Sequence, residues 1–338
     1  MKLIIRVPNW VGDAVMALPT VDAAVEATGA SVVSIMTRPL TAPLFQHHPN
    51  IDRVVVIDDK KSRVLGPYHA SRMIKDDKYD VGLILPPSLS SALIFKLAGV
   101  AGRVGFAGDS RSYLLTRAIQ PPKETMHRAR QYLYLLEQVT GFPLPMANPR
   151  LVLSHEDIAG GENILAKHSL TYDNRYIVIA PQATAASRRW GAANYGRLSA
   201  RLISEFDCAV ILIGSLLERA AGDEVRQIGG ARVVNLCGET DLKTAAAIAS
   251  FARLFIGNDS GLAHLAGAVG CPLVVLSGAD NPDETSPLCD RKKVIIKDID
   301  CIRCVKNVCP LSGEAFMRCL KMITVDEVCD AAREVIKA

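Results

Sequence analysis

The 338-residue chain reads as two successive series of short apolar runs separated by longer stretches with helical spacing. In the first series, β-branched and aliphatic residues crowd Lys2–Val7, Ser31–Met36, Arg53–Ile57 and Asp80–Leu85. Their alternation with helical patterns is the rhythm of βαβ units and predicts a parallel sheet. The rhythm restarts at Tyr176–Ala180 and continues through Ala209–Ile213, Arg232–Asn235, Leu254–Ile256 and Leu273–Leu276, predicting a second sheet. Between them, Phe142, Pro143, Leu144, Pro145 and Pro149 interrupt regular structure. The expected organisation is an α/β domain over 1–150, a linker region with a short helix over 151–175, a second α/β domain over 176–323, and a C-terminal helix over 324–338. In that helix Val325, Val328, Ala331, Ala332, Val335 and Ile336 form an apolar stripe that suits either domain. The length exceeds the roughly 100–200 residues of one domain, which agrees with two.

Two strand-to-helix turns carry the candidate chemistry. The first strand breaks at Pro8, Asn9, Trp10, Val11, Gly12 and Asp13, before a helix from about Ala14, so Asp13 sits on a loop above a sheet. The strand from Leu254 ends in Gly257, Asn258, Asp259, Ser260 and Gly261 and opens a helix carrying His264. The first N–H groups of a helix favour an anion, by about 0.3–1 kcal/mol when exposed. Ligands of parallel α/β sheets bind at the carboxyl ends of strands, which puts both turns on working edges. One half offers a carboxylate and the other an anion cradle. Two such domains facing across a cleft suggest transfer between two bound molecules. Asp13 is also an ordinary helix-capping residue type, and Asp259 either caps its helix, orders the loop or meets a sugar hydroxyl.

Composition narrows the class. A formal net charge of +4 gives no support for nucleic-acid binding, which leaves a stronger and more concentrated basic footprint. Arg6 and Pro8 interrupt the first apolar strand, so neither a signal peptide nor a membrane span is expected and the protein reads as cytoplasmic. Nine cysteines in that compartment are expected to be mostly thiols. Cys301, Cys304, Cys309 and Cys319 begin with a C-x-x-C pair able to present two thiolates to one tetrahedral metal, zinc first, although the spacing is not a standard finger. Reduced thiols or an adventitious disulfide are the other readings. Cys208, Cys237, Cys271, Cys289 and Cys329 read as core or incidental.

The run Trp10, Val11, Gly12, Asp13, the pair Arg188 and Arg189 before Trp190, the turn from Gly238 to Leu242, and Asp259, Ser260, Gly261, His264 and Ala266 resemble the motifs of glycosyltransferase family nine, in order and spacing over nearly the whole chain. The resemblance implies a GT-B fold of two Rossmann-like domains. It implies ADP-heptose bound mainly by the C-terminal domain, a lipopolysaccharide inner-core acceptor bound mainly by the N-terminal one, and inversion at the anomeric carbon. Within the family the similarity points to an acceptor that already carries a first heptose. First-heptose transfer or another acceptor is the alternative, and a non-catalytic sugar-nucleotide binder a remoter one. Transfer itself is expected to need no metal or cofactor. A lipid-borne acceptor implies peripheral contact with the inner face of the inner membrane.

Inversion by one displacement needs a base on the acceptor hydroxyl while ADP leaves from the opposite face. Asp13 is the expected base. Arg188, where the family usually has lysine, is expected to meet the charge growing on the leaving diphosphate, with Arg189, Asp259, Ser260, Gly261 and His264 completing the donor set. Arg189 also reads as a solvated neighbour, and His264 as a buried, satisfied histidine. Trp10 and Gly12 fall on the acceptor side. Between positions 103 and 130, Arg103, Arg111, Arg117, Lys123, Arg128 and Arg130 outnumber Asp109 and Glu124. That excess suits a phosphorylated acceptor, with Arg111 and Lys123 as candidate contacts, or else is a solvated face. A Rossmann dehydrogenase is disfavoured, because Pro8 to Asp13 lacks G-x-G-x-x-G. Asp298 and Asp300 form a D-x-D, a pair common by chance.

Overall fold

The computed structural model describes residues 1–58, 65–108, 110–173 and 175–337. Asp109, counted above, lies outside them. The chain divides into two compact units, Met1–Val152 and Leu153–Ala338.

The first unit holds a sheet of β1 (Lys2–Arg6), β2 (Val32–Thr37), β3 (Arg53–Val56), β4 (Val81–Ile84), β5 (Gly102–Phe106) and β6 (Arg117–Ile119), in the order β3-β2-β1-β4-β5-β6. Every pair is parallel. Its helices are α1 (Val11–Met16), α2 (Leu18–Thr28), α3 (Leu65–Arg72), α4 (Leu89–Leu97) and α5 (Arg128–Thr140). The second unit repeats the plan with β7 (Tyr176–Ala180), β8 (Ala209–Leu212), β9 (Val233–Asn235), β10 (Leu254–Asn258), β11 (Leu273–Leu276) and β12 (Lys292–Ile295), ordered β12-β11-β10-β7-β8-β9 and again parallel. Its helices are α6 (His155–Lys167), α7 (Ala192–Phe206), α8 (Arg219–Gly229), α9 (Leu242–Ser250), α10 (Gly261–Ala268), α11 (Pro282–Thr285), α12 (Arg318–Lys321) and α13 (Val325–Lys337).

Both orders are the doubly wound 3-2-1-4-5-6, whose switch points lie between β1 and β4 and between β7 and β10. These central strands are apolar because helices cover both faces: β7 and β10 are buried at every position, with Ile256 opposite both Ile179 and Val274. The second core joins Ile177, Ile179, Leu198, Leu202, Val210, Leu212, Leu254, Ile256 and Val274. Burying an aliphatic side chain of this size contributes about 1.5–3 kcal/mol.

Three strands depart from the sequence reading. β5 carries Gly102 and Gly105 in a stretch without strand signal, β6 is three residues long at an edge of the first sheet, and β12 starts with Lys292 and Lys293 at an edge of the second. Helix α1 begins at Val11 rather than near Ala14. The stretch read as a linker supplies α6, opened by a Ser154–Asp157 capping box, from Leu153 onward part of the second unit. The stripe on α13 buries Val328, Ala331, Ala332 and Val335 in the second core.

Gly238 turns the chain after β9 with φ 83°, and a Cβ there would lie 2.8 Å from the Leu216 Cα. Gly238→Ala is therefore expected to cost more than about 1–2 kcal/mol, the left-handed penalty alone, and to lower the melting temperature by several degrees in a thermal scan.

Cys208, Cys237, Cys271 and Cys329 are buried thiols, and burial pushes Cys237 up to about 12 and Cys208 and Cys329 up to about 11. Cys304 is exposed, and the Met317 N–H donates to Cys309 Sγ at 3.4 Å. Among the described residues no three His, Cys, Asp or Glu side chains are grouped to hold a metal ion. Burial raises the Cys319 thiol, against a backbone hydrogen bond at Leu320, and Cys301, Cys304 and Cys309 stand near enough for their charges to raise it further. Among the described residues no helix is long and apolar enough to cross a membrane.

Candidate active site

In the first unit the loop after β1 is shaped by Arg6, which is fully buried. Its Nη2 donates to Asn9 Oδ1 at 2.5 Å and its Nη1 to the Val7 and Met36 carbonyls. A guanidinium spread over these acceptors ties the loop to the ends of β1 and β2. Trp10, in extended conformation, is the N-cap of α1 and is 64% exposed. Asp13 is the third residue of α1, so capping does not explain it, although a carboxylate in a first turn suits the helix dipole.

Asp13 is half-buried at the carboxyl end of β1, beside the switch point. The Tyr132 hydroxyl donates to its Oδ1 at 3.4 Å. Burial first, and then the Asp13 charge, hold the Tyr132 phenol well above its usual range, with Arg128 pulling the other way. The tyrosine thus stays a neutral donor. Arg128 and Tyr132 lie one turn apart on α5, and nothing local in the sequence links them to a loop more than a hundred positions earlier.

The basic segment resolves differently from its expectation. Arg111 is 1% exposed, and its Nε and Nη2 donate to the Phe106 carbonyl and its Nη1 to that of Pro86. It clamps two strand-end loops inside the first unit and is not placed to meet an acceptor. Arg103 donates to the Val100, Ala101 and Leu114 carbonyls, Arg117 to that of Gln138, and Arg130 holds Glu137 with 2.9 Å bonds to both oxygens. Lys123 is exposed. The charge excess was mostly structural.

In the second unit three loops converge on the carboxyl ends of β7, β10 and β11. Arg188 follows β7, Asp259 follows β10, and Asp280 follows β11. Arg188 Nη2 lies 2.5 Å from Asp280 Oδ1, the aspartate side chain being 6% exposed. Asp259 is 4% exposed, with His264 Nε2 3.9 Å from its Oδ1. The N-cap of α10 is Ser260, so Asp259 does not cap that helix. Arg188 Nε, Asp259 Oδ2, Ser260 Oγ and Asp280 Oδ2 are buried without a hydrogen-bond partner among the described residues. Burial, and next the Asp280 charge, push the Asp259 carboxyl up to about 7, against the pull of Arg188 and Lys292. Burial also raises Asp280, opposed by Arg188, and lowers the Lys292 ammonium.

Arg189, by contrast, is exposed and donates to the Ala183 and Thr184 carbonyls of its own loop. Gly261 opens α10 and His264 is buried within it. Chemically this edge combines a partly satisfied guanidinium, a hydroxyl, helix-terminal N–H groups and two carboxyls whose pKa values burial raises. That is a surface for a diphosphate joined to a hydroxylated ligand. Sequence reasoning missed Asp280 and Lys292. The first stands after a strand with no flanking motif, and the second lies on the edge strand that lacked a strand signal.

Two doubly wound sheets, one presenting a carboxylate and the other an arginine with a helix N-terminus at its switch point, define a two-domain glycosyltransferase of the GT-B class. The chain belongs to glycosyltransferase family 9 (heptosyltransferase), whose family model matches residues 68–314. That span includes Arg188, Asp259 and Asp280, and lies beyond Asp13. The lipooligosaccharide heptosyltransferase 2 of Haemophilus ducreyi is 30% identical over 315 residues, 89% of each chain. The lipopolysaccharide heptosyltransferase 2 of Escherichia coli is 28% identical over 316 residues, 87% of this chain and 88% of the other. The solved structure of E. coli ADP-heptose lps heptosyltransferase II superposes with a TM-score of 0.83 at 26% identity, covering 100% of this chain and 99% of that one.

Proposed function

We propose that the chain transfers heptose from ADP-heptose to a lipopolysaccharide inner core that already carries one heptose, with inversion, as a heptosyltransferase 2. The observation that carries this reading is the paired placement at two switch points: Asp13 after β1, and Arg188 with the α10 N-terminus between β7 and β10. The heptosyltransferase 2 relatives, at 25–30% identity, support the second-heptose acceptor over the first, since a heptosyltransferase 1 is 22% identical.

In this mechanism Asp13 accepts the proton of the acceptor hydroxyl as its oxygen attacks the anomeric carbon. The Tyr132 hydroxyl orients the Asp13 carboxylate. The bond to the ADP oxygen breaks on the opposite face, and Arg188, the Ser260 hydroxyl and the first N–H groups of α10 stabilise the charge left on the diphosphate. Asp259 and His264 face the donor sugar. Trp10, Gly12 and Lys123 contribute to the acceptor side, and Arg189 to the outer rim of the donor loop. No bound metal is needed, because these groups neutralise the leaving charge. The acceptor's lipid brings the enzyme to the inner face of the inner membrane by peripheral contact.

The test is the product of one turnover with ADP-heptose and heptosylated Kdo-lipid A. Mass spectrometry should show the acceptor heavier by one heptosyl unit, and NMR should show the anomeric configuration inverted relative to the donor. Retained configuration would overturn the single displacement.

A further inference from the structure

The ion pair between Arg188 and Asp280 assigns the second residue a task that no sequence motif marked. Arg188 follows β7 and Asp280 follows β11, strands that flank β10 on either side, so the pair bridges the loops around Asp259. Asp280 is fixed on its own side, because Asn281 caps α11 by accepting from the Asp283 N–H and Pro282 opens that helix. Among the described residues Asp280 Oδ1 meets Arg188, while Oδ2 is buried without a hydrogen-bond partner. The guanidinium is therefore held by one arm, and its remaining donors are left for another acceptor.

We propose that Asp280 is a positioning residue of the donor site, holding the Arg188 guanidinium across the carboxyl ends of β7 and β11 so that its free donors meet the donor diphosphate. The inference rests on the donor-site reading above. It makes a prediction opposite in sign to simple charge counting. A carboxylate beside an anion site repels the anion, so its removal alone would tighten binding; loss of a positioning contact weakens binding instead.

Asp280 also tunes its neighbour. The groups facing Asp259 are Asp280, Arg188, Lys292 and His264. Asp259 is raised to about 7, so its carboxyl is neutral below that pH and becomes a charge repelling diphosphate above it. ADP affinity in the unaltered enzyme should fall as pH rises through that value. Without the Asp280 charge the Asp259 carboxyl ionises more easily, and the fall should move to lower pH.

The experiment is calorimetric titration with ADP from pH 5.5 to 8.5 on the full chain and on Asp280→Asn, Arg188→Ala and the double variant, with melting temperatures recorded for each. Asp280→Asn should weaken ADP about tenfold near neutral pH, the scale of one charge-assisted hydrogen bond misplaced, with the pH midpoint lowered. In the Arg188→Ala background the same substitution should lose the positioning part of this effect and keep only the shift of the pH midpoint, because the positioning runs through Arg188 while the Asp280 charge acts on Asp259 directly. Unchanged or tighter ADP binding in Asp280→Asn, or an equal loss with and without Arg188, would overturn the positioning role. Failure of the unaltered chain to bind ADP at any pH would overturn the donor-site reading beneath it.

Discussion

Asp13→Asn is expected to lower kcat by about 10²–10⁴, the usual contribution of a positioned general base, while leaving ADP affinity unchanged. The separation follows from the fold. Asp13 lies in the first unit, and Arg188, Ser260 and Gly261, the groups proposed to meet the diphosphate, lie in the second. Asparagine keeps the size of the side chain and still accepts from the Tyr132 hydroxyl, so the loop is retained and only basicity is lost. Steady-state ADP release together with calorimetric ADP binding checks both halves. Near-normal turnover would remove Asp13 from the mechanism, and weakened ADP binding would mean that its role is structural.

Arg188→Ala is expected to lower ADP affinity by about 10- to 150-fold, since a hydrogen bond to a charged group contributes about 1.5–3 kcal/mol. It should also destabilise the second unit, because removing one partner leaves Asp280, 6% exposed, beside Asp259 with little compensation. The loss should depend on pH. Both carboxyls are already raised in the folded chain, and without the arginine they rise further. An acid whose folded pKa exceeds its unfolded value reduces stability as pH climbs above the unfolded value, so the deficit should be small near pH 4 and fullest above about 7. Arg188→Lys keeps the charge without the planar fork and should fall between. Thermal melts at pH 5 and 8, with ADP titrations at each, check this; equal stability losses at both pH values would contradict the buried-charge account.

Much of the architecture was legible because buried parallel strands must be apolar along their whole length. β7 and β10 announce themselves as Tyr176–Ala180 and Leu254–Ile256, and their carboxyl ends then locate Arg188 and Asp259. What stayed hidden obeys other constraints. β6 and β12 are edge strands, where charge and brevity are tolerated and blunt unwanted pairing, and β5 tolerates glycine because neighbours crowd it: a Cβ on Gly105 would lie 3.2 Å from the Ile84 carbonyl oxygen. The basic segment misled for a related reason. Arg103, Arg111 and Arg117 satisfy carbonyls at strand and helix ends, and a sequence shows a charge without showing which acceptor occupies it. Tyr132 and Asp280 touch the motif residues only in three dimensions, through contacts that no spacing rule encodes.

The proposed transfer turns on which acceptor completes the reaction. The measurement that tests it most directly is ADP release from ADP-heptose with Kdo-lipid A, offered with and without a first heptose. Release that depends on the heptosylated acceptor is the predicted result, whereas release only with the heptose-free acceptor, or with neither, would contradict it.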